Sequence, residues 1–261
     1  MHIQGVVHDL PAARKRIAGR VRDFYRINDV SDLLLCEKDF DSAREMCAKE
    51  AQIVLDSNRL TPNGLLRGVI YCLLTPLQKY AGQVKGYDAA IMNRSFEHDD
   101  LPEILRDAGV LFHEQKAKYI RKATFVLDNP GLAMLITDNI GNRKSEIALR
   151  QELITDISGL GLKTGSLLLR MCGAQHVVPI DSWMMEMLYF HGYPCEMPRS
   201  KVERERWETK DRTYKKYRKT GLTQSDYLRA EEFALDLARK YEVPGYVLQM
   251  AFWTKKSTYE K

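Results

Sequence analysis

The stretch from Leu153 to Leu188, LITDISGLGLKTGSLLLRMCGAQHVVPIDSWMMEML, constrains this chain more than any other part of it. An apolar-periodic helix is expected to end near Ile157, ahead of the tight turn Ser158-Gly159-Leu160-Gly161. A second helix starts near Lys163. The two glycines let the backbone turn sharply and approach a neighbour closely, as side chains would not. Free N–H groups at the start of the second helix form a natural seat for a phosphate. A short loop containing Gly and Pro then leads to Asp181, eighteen residues beyond Lys163, and to a third helix ending at Gly192.

The rest of the chain is also helical in pattern, with no convincing alternation of the kind strands show. Asp9 and Pro11 open a first helix, PAARKRIAGRVRDFY, by a cap and an early-helix proline. A second helix is expected from about Asp41 to Asn58. Pro62 opens a third, NGLLRGVIYCLLT, apolar almost all round and therefore a core helix. Asp100 to Gly109 reads as a short capped helix, and Lys144 to Ile157 as the helix that leads into the turn.

No apolar run is long enough to span a membrane, and the N-terminal residues lack the apolar core of a signal peptide. The five cysteines, Cys36, Cys47, Cys72, Cys172 and Cys195, show no paired spacing. Reduced thiols in a cytoplasmic or nucleoid setting are expected, without a disulfide framework or an iron–sulfur cluster. The histidines have no metal-ligand spacing.

The net charge of +5 is concentrated in one segment. Residues 199–219 hold ten Lys/Arg and four Asp/Glu, a balance of +6, so the remainder is near neutral. Trp207, Tyr214 and Tyr217 interleave the basic residues. Such a segment suits nucleic-acid contact, with Lys215 and Lys216 as candidate DNA-binding residues. A solvated helix laced with i,i+4 pairs fits the same composition.

Hairpin, Lys163, Pro-containing loop and Asp181 together resemble the helix-hairpin-helix, Gly/Pro-Asp superfamily of base-excision DNA glycosylases. In that family the Lys attacks the sugar C1′ and the Asp supports the attack. A second segment narrows the resemblance. Leu111-Phe112-His113-Glu114-Gln115-Lys116-Ala117-Lys118-Tyr119-Ile120 looks like the Arg-Phe-His-Asn-x-Lys-Ala-x-Tyr-Ile segment of the second, mainly archaeal, type of 8-oxoguanine DNA glycosylase/AP lyase. There the Phe helps to sandwich the oxidised base and the Arg enters the duplex near its orphaned partner. Phe112 keeps the first role; Leu111 replaces the Arg.

Other family elements recur in patches. Leu73-Leu74-Thr75-Pro76-Leu77-Gln78 resembles the end of a core helix whose Gln approaches the DNA, which makes Leu77 and Gln78 alternatives for a wedge or, for Leu77, a buried helix end. Leu222-Thr223 and Tyr227-Leu228-Arg229-Ala230-Glu231 match the element that follows the catalytic loop, so the basic segment reads as an insertion. Trp253 and the terminal Lys261 match the family's ending. The resemblance implies a base pocket of Phe112, Trp253 and Lys261. It also implies DNA contacts from Gly159, Gly161 and Thr164, and a K⁺ or Na⁺ ion on the main-chain carbonyls of Thr155, Ile157 and Leu160.

Each catalytic candidate has a plainer role open to it. Lys163 suits a phosphate contact as well as a nucleophile. An exposed Lys has a pKa of about 10.4, so the nucleophile must be desolvated or lie beside positive charge. Asp181 suits an N-cap, a role compatible with catalysis because a cap fixes the carboxylate.

The expected architecture is all-α, two helical lobes with the hairpin and Asp181 at a cleft between them. Residues 1–64 supply N-terminal helices packing with the C-terminal ones. Residues 65–192 hold the hairpin (153–170) and the Asp loop, 193–221 the basic insertion, and 222–261 the helices closing the base pocket. The expected activity is a bifunctional glycosylase/AP lyase releasing 8-oxoguanine from double-stranded DNA, as a monomer and with no required cofactor. A glycosylase for oxidised pyrimidines and a non-catalytic helix-hairpin-helix DNA-binding protein are the alternatives.

Overall fold

The structure, a computed structural model, describes residues 35–76, 80–127, 131–191, 193 and 223–259. The expected helix opened by Pro11, Leu77, Gln78, the basic segment with Lys215 and Lys216, and Lys261 lie outside the described residues. Helices run Glu37–Val54 (α1), Pro62–Leu74 (α2), Tyr80–Ile91 (α3), Leu101–Asp107 (α4), His113–Leu127 (α5), Gly131–Asn139 (α6), Arg143–Asp156 (α7), Leu162–Met171 (α8), Ser182–Phe190 (α9), Gln224–Lys240 (α10) and Gly245–Tyr259 (α11). A 3-10 turn, Met92–Glu97, joins α3 to α4. Among the described residues no helix is long and apolar enough to cross a membrane.

One element departs from the all-helical pattern. The expected helix from Asp41 to Asn58 begins earlier, at Glu37, and stops at Val54. Leu55–Asp56 (β1) and Arg59–Leu60 (β2) then pair as a minimal antiparallel hairpin. Its corner residues, Ser57 and Asn58, both have left-handed backbone, φ 50° and 63°. Two such residues in a row are what a tight hairpin with native strand twist requires. The reversal is forced by packing. A Cβ on Gly64 would lie 2.0 Å from the Val54 carbonyl oxygen, so α2 crosses the end of α1 at backbone contact. The Asp56 carboxylate fastens the corner, accepting from Arg67 Nη2 at 2.7 Å and from the Thr61 hydroxyl.

The chain divides into two compact units, Glu45–Pro179 and the combination of Met1–Arg44 with Ile180–Lys261. In the first, α2 is the central rod. It opens with Pro62 in its first turn and Thr61 capping the Gly64 N–H at 3.0 Å. Leu65 and Val69 to Leu74 are all buried, as its apolar circumference predicts. They pack with Ala117 and Ile120 of α5, Leu149 and Leu153 of α7, and Leu167 and Leu168 of α8 in one hydrophobic cluster. Each fully buried Leu or Ile contributes about 1.5–3 kcal/mol relative to exposure. In the second unit, α9, α10 and α11 bury Trp183, Met187, Leu188, Tyr227, Ala234, Leu248 and Phe252. Asp39 and Phe40 join them from α1, through the Lys255 ammonium at 2.9 Å and the Tyr241 ring at 5.4 Å.

A buried ion pair ties α1 to α8. The Arg170 guanidinium donates to the Glu50 carboxylate, which also accepts from the Tyr71 hydroxyl at 3.0 Å. Their side chains are only 3% and 10% exposed, so neither charge has water to fall back on. Arg170→Met should therefore lower unfolding free energy by about 3–5 kcal/mol, the usual cost of stranding one member of a buried pair. Glu50→Gln in the same protein should recover part of that loss. Urea titration checks both as shifts in midpoint at constant slope.

Candidate active site

The hairpin forms as its sequence dictates. Asn142 opens α7, its side-chain oxygen accepting from the N–H groups of Lys144 at 2.9 Å and Ser145 at 3.3 Å. The helix ends at Asp156, and the Ile157 N–H still reaches the Leu153 carbonyl at 2.9 Å. The turn is closed by the Leu160 N–H donating to the Ile157 carbonyl at 3.1 Å. Gly161 then caps α8. Thr164, buried, reaches back to accept from the Gly161 N–H at 2.8 Å, satisfying a donor the helix leaves open.

The two glycines have different jobs. Gly159 has φ +96°, and a Cβ there would lie 2.5 Å from the Tyr119 ring and 2.9 Å from Leu73. Both backbone conformation and space demand glycine. Gly161 has an extended backbone, φ −133° and ψ −177°, which any residue adopts. A Cβ on it would meet nothing within 4 Å. Nothing in the described fold needs glycine at 161.

Lys163 lies half-buried in the first turn of α8, two residues past Gly161. Around it the two hairpin helices lie close. A Cβ on Gly165 would sit 3.3 Å from Arg150 and Ile154, and the buried Arg150 guanidinium donates to the Ser166 hydroxyl at 2.7 Å. The helix carrying Lys163 thus has its rotation and height fixed by buried contacts. Thr155 is exposed, whereas Ile157 and Leu160 turn their side chains inward.

Asp181 opens α9 as an N-cap. Its Oδ1 accepts from the Met184 N–H at 2.8 Å, which orients the carboxylate. The residue before it is tied down too, the Ile180 N–H donating to the buried Tyr227 hydroxyl at 3.0 Å. Two residues after Asp181, the Trp183 indole N–H donates to the Phe252 carbonyl at 2.6 Å. This contact brings the helix of Asp181 against α11 beside Trp253, which is partly buried.

Leu111 and Phe112 form the exposed corner before α5, 54% and 61% exposed. Phe112 has φ +56°, a region that bulky residues seldom occupy and that costs on the order of 1–3 kcal/mol. At this exposure the Phe112 ring adds little to the core. The remainder of the motif faces inward. Ala117 and Ile120 are fully buried, and Tyr119 underlies Gly159. Lys116, 4% exposed, donates from Nζ to the Leu74 carbonyl at 2.9 Å, tying α5 to the end of α2. Burial pushes its ammonium down to about 8. Lys116, Tyr227 and Arg150 are structural supports. Lys116 and Tyr227 lie in segments that the family resemblance marks, without indicating which backbone group each would bond; Arg150 carried no signal. Asp100, expected as a side-chain cap of α4, makes no such hydrogen bond; α4 starts instead with Leu101-Pro102, where proline removes a donor needing a cap.

Residues 56–222 match the 8-oxoguanine DNA glycosylase family. An 8-oxoguanine DNA glycosylase/AP lyase of Sulfurisphaera tokodaii is 34% identical over 134 residues, covering 51% of this chain and 63% of that protein. The match therefore spans somewhat less than two thirds of that relative. In fold, the chain is similar to the crystal structure of Methanocaldococcus jannaschii 8-oxoguanine glycosylase/lyase in complex with a 15mer DNA containing 8-oxoguanine. The TM-score is 0.62 at 19% identity, over 85% of this chain and 96% of that one. The 8-oxoguanine DNA glycosylase of Thermotoga maritima gives 0.58 at 18% identity, over 97% and 96%.

The contrast between the glycines gives a stability test. Gly159→Ala should cost about 2–4 kcal/mol, from left-handed strain and overpacking against Tyr119. Gly161→Ala should cost at most about 1 kcal/mol, the penalty of alanine at an N-cap. Equal melting temperatures for the two variants would refute this division of roles.

Proposed function

Because this chain belongs to the 8-oxoguanine DNA glycosylase family, we propose that it releases 8-oxoguanine from double-stranded DNA and then nicks the strand as an AP lyase. The observation that carries the reading is Lys163, held in the first turn of α8 immediately after a turn whose Gly161 presents bare backbone. The Lys163 amine, in its neutral form, forms a bond to C1′ with its lone pair. The glycosidic bond breaks, its own electron pair leaves with the base, which takes up a proton, and the new ammonium nitrogen gives one up. Ring opening gives a Schiff base, and β-elimination cleaves the strand 3′ to the lesion. The Asp181 carboxylate stabilises positive charge developing on the sugar as the base leaves. Its capping bond to the Met184 N–H keeps it oriented for that role.

The surrounding residues take their roles from the same chemistry. The base leaves the stack and is received by Phe112, Trp253 and Lys261. Leu111, with Leu77 or Gln78, fills the gap. Gly159, Gly161 and Thr164 place the N-terminus of α8 against a phosphate, where free N–H groups and the helix dipole favour an anion. Lys215 and Lys216 of the basic segment add phosphate contacts. The carbonyls of Thr155, Ile157 and Leu160 would be the groups to hold a K⁺ or Na⁺ ion, which would bridge the turn to a DNA phosphate. The Ile157 carbonyl keeps one lone pair after accepting from Leu160. The protein would act as a monomer in the cytoplasm or nucleoid.

Lys163→Gln should abolish borohydride trapping and strand nicking while keeping lesion binding within about tenfold, because only an amine forms a reducible Schiff base. Trapping retained in that variant would remove Lys163 as the nucleophile. Asp181→Asn should slow base release by about 10²-fold; release at the wild-type rate would leave Asp181 a helix cap alone.

Leu111 generates a specificity prediction. An Arg at this exposed corner would donate paired hydrogen bonds to a base edge, whereas Leu fills space without donors. Release of 8-oxoguanine opposite C, A, G and T should therefore agree within about tenfold, since a lost bidentate contact is worth about 1–3 kcal/mol. Leu111→Arg should sharpen the preference for C. Strong selectivity for C in the unmodified protein would place partner reading elsewhere.

A further inference from the structure

We propose that Glu146 is a positioning residue for Asp181: from the first turn of α7 its carboxylate grips the chain segment that delivers the catalytic aspartate. Glu146 is fully buried, at 0% exposure. Its Oε1 accepts from the Gly141 N–H at 3.0 Å and the Gln175 N–H at 3.2 Å. Its Oε2 accepts from the His176 N–H at 2.7 Å. One side chain therefore binds the loop that leads into the hairpin and the loop that leaves it.

Position gives this grip its consequence. The outgoing loop starts at Gly173, φ +103°, where α8 ends, and Asp181 follows His176 by five residues. The four residues between them, Val177, Val178, Pro179 and Ile180, are all buried. Irregular backbone must find acceptors for its N–H groups; those of Gln175 and His176, just ahead of the buried stretch, go to the Glu146 carboxylate, which offers about four lone-pair sites in one place. An amide would offer only one oxygen and turn an NH₂ group toward a backbone N–H. The carboxylate thereby couples the loop that leaves α8 to the first turn of α7.

This role for Glu146 rests on the glycosylase activity proposed for the chain, and its test separates the two. Base release requires the Asp181 carboxylate, whereas Schiff-base formation at an already abasic sugar requires only an amine and an aldehyde. In Glu146→Gln, single-turnover release of 8-oxoguanine should fall about 10- to 100-fold, the scale of a small misplacement, while borohydride trapping on a duplex with a preformed abasic site stays within about threefold. Should that variant fail to fold by circular dichroism, Glu146→Asp, which keeps the charge one methylene short, should show the same split. Release and trapping that fall together in a folded variant make Glu146 a general structural support and overturn the proposal, as does unchanged release. Wild-type protein that neither releases base nor traps overturns the glycosylase reading, and the role of Glu146 with it.

Discussion

The hairpin turn rests on an absence of atoms. With no side chain at Gly159, the left-handed corner sits directly on the Tyr119 ring and Leu73, where any Cβ would be 2.5–2.9 Å from a neighbour. Through that contact α2 and α5 set the height of the turn, and the turn sets where α8 begins. Gly165 and the Arg150–Ser166 hydrogen bond then bring α8 close against α7. Below them the Glu50–Arg170 pair fixes the far end of α8 on α1. Lys163 is consequently placed by contacts at both ends of its helix.

The same unit divides the 111–120 segment into an outer and an inner half. Leu111 and Phe112 project at the corner, and the left-handed conformation of Phe112 is sustained by the anchored residues of α5. Lys116 donates to the last carbonyl of α2, Ala117 and Ile120 enter the core, and Tyr119 supports the hairpin turn. The helix that follows this corner thus also supplies the seat of Gly159, through Tyr119. A buried ammonium is costly, and burial pushes that of Lys116 to about 8. Its donation to Leu74 offsets part of this cost and leaves the end of α2 without a free carbonyl there.

Asp181 is held by a different kind of constraint. Its carboxylate serves as a cap, and its preceding N–H is taken by the Tyr227 hydroxyl. The expected N-cap role of Asp181 is what the Met184 hydrogen bond shows. A cap uses one oxygen in a fixed direction and fixes the orientation of the whole group.

What the sequence determined was everything that depends on neighbours along the chain. Pro62 and Thr61 set the start of α2, Asn142 that of α7, and the Gly-Leu-Gly turn set the hairpin; the apolar circumference of α2 marked it as the core helix. The same local pattern placed Lys163 at the start of α8 and Asp181 as the cap of α9. Tertiary structure decided what depends on residues far apart. It ended α1 at Val54, because α2 crosses there at backbone contact, and turned the expected helical residues Leu55 to Asn58 into a hairpin. It distinguished Gly159, which the fold requires, from Gly161, which it does not. It also assigned Glu146, Tyr227 and Lys116 to distant backbone groups, 30, 47 and 42 residues away. A charged or phenolic side chain carries no mark in the sequence of which remote N–H or carbonyl it will satisfy, because that partner exists only once the helices have packed.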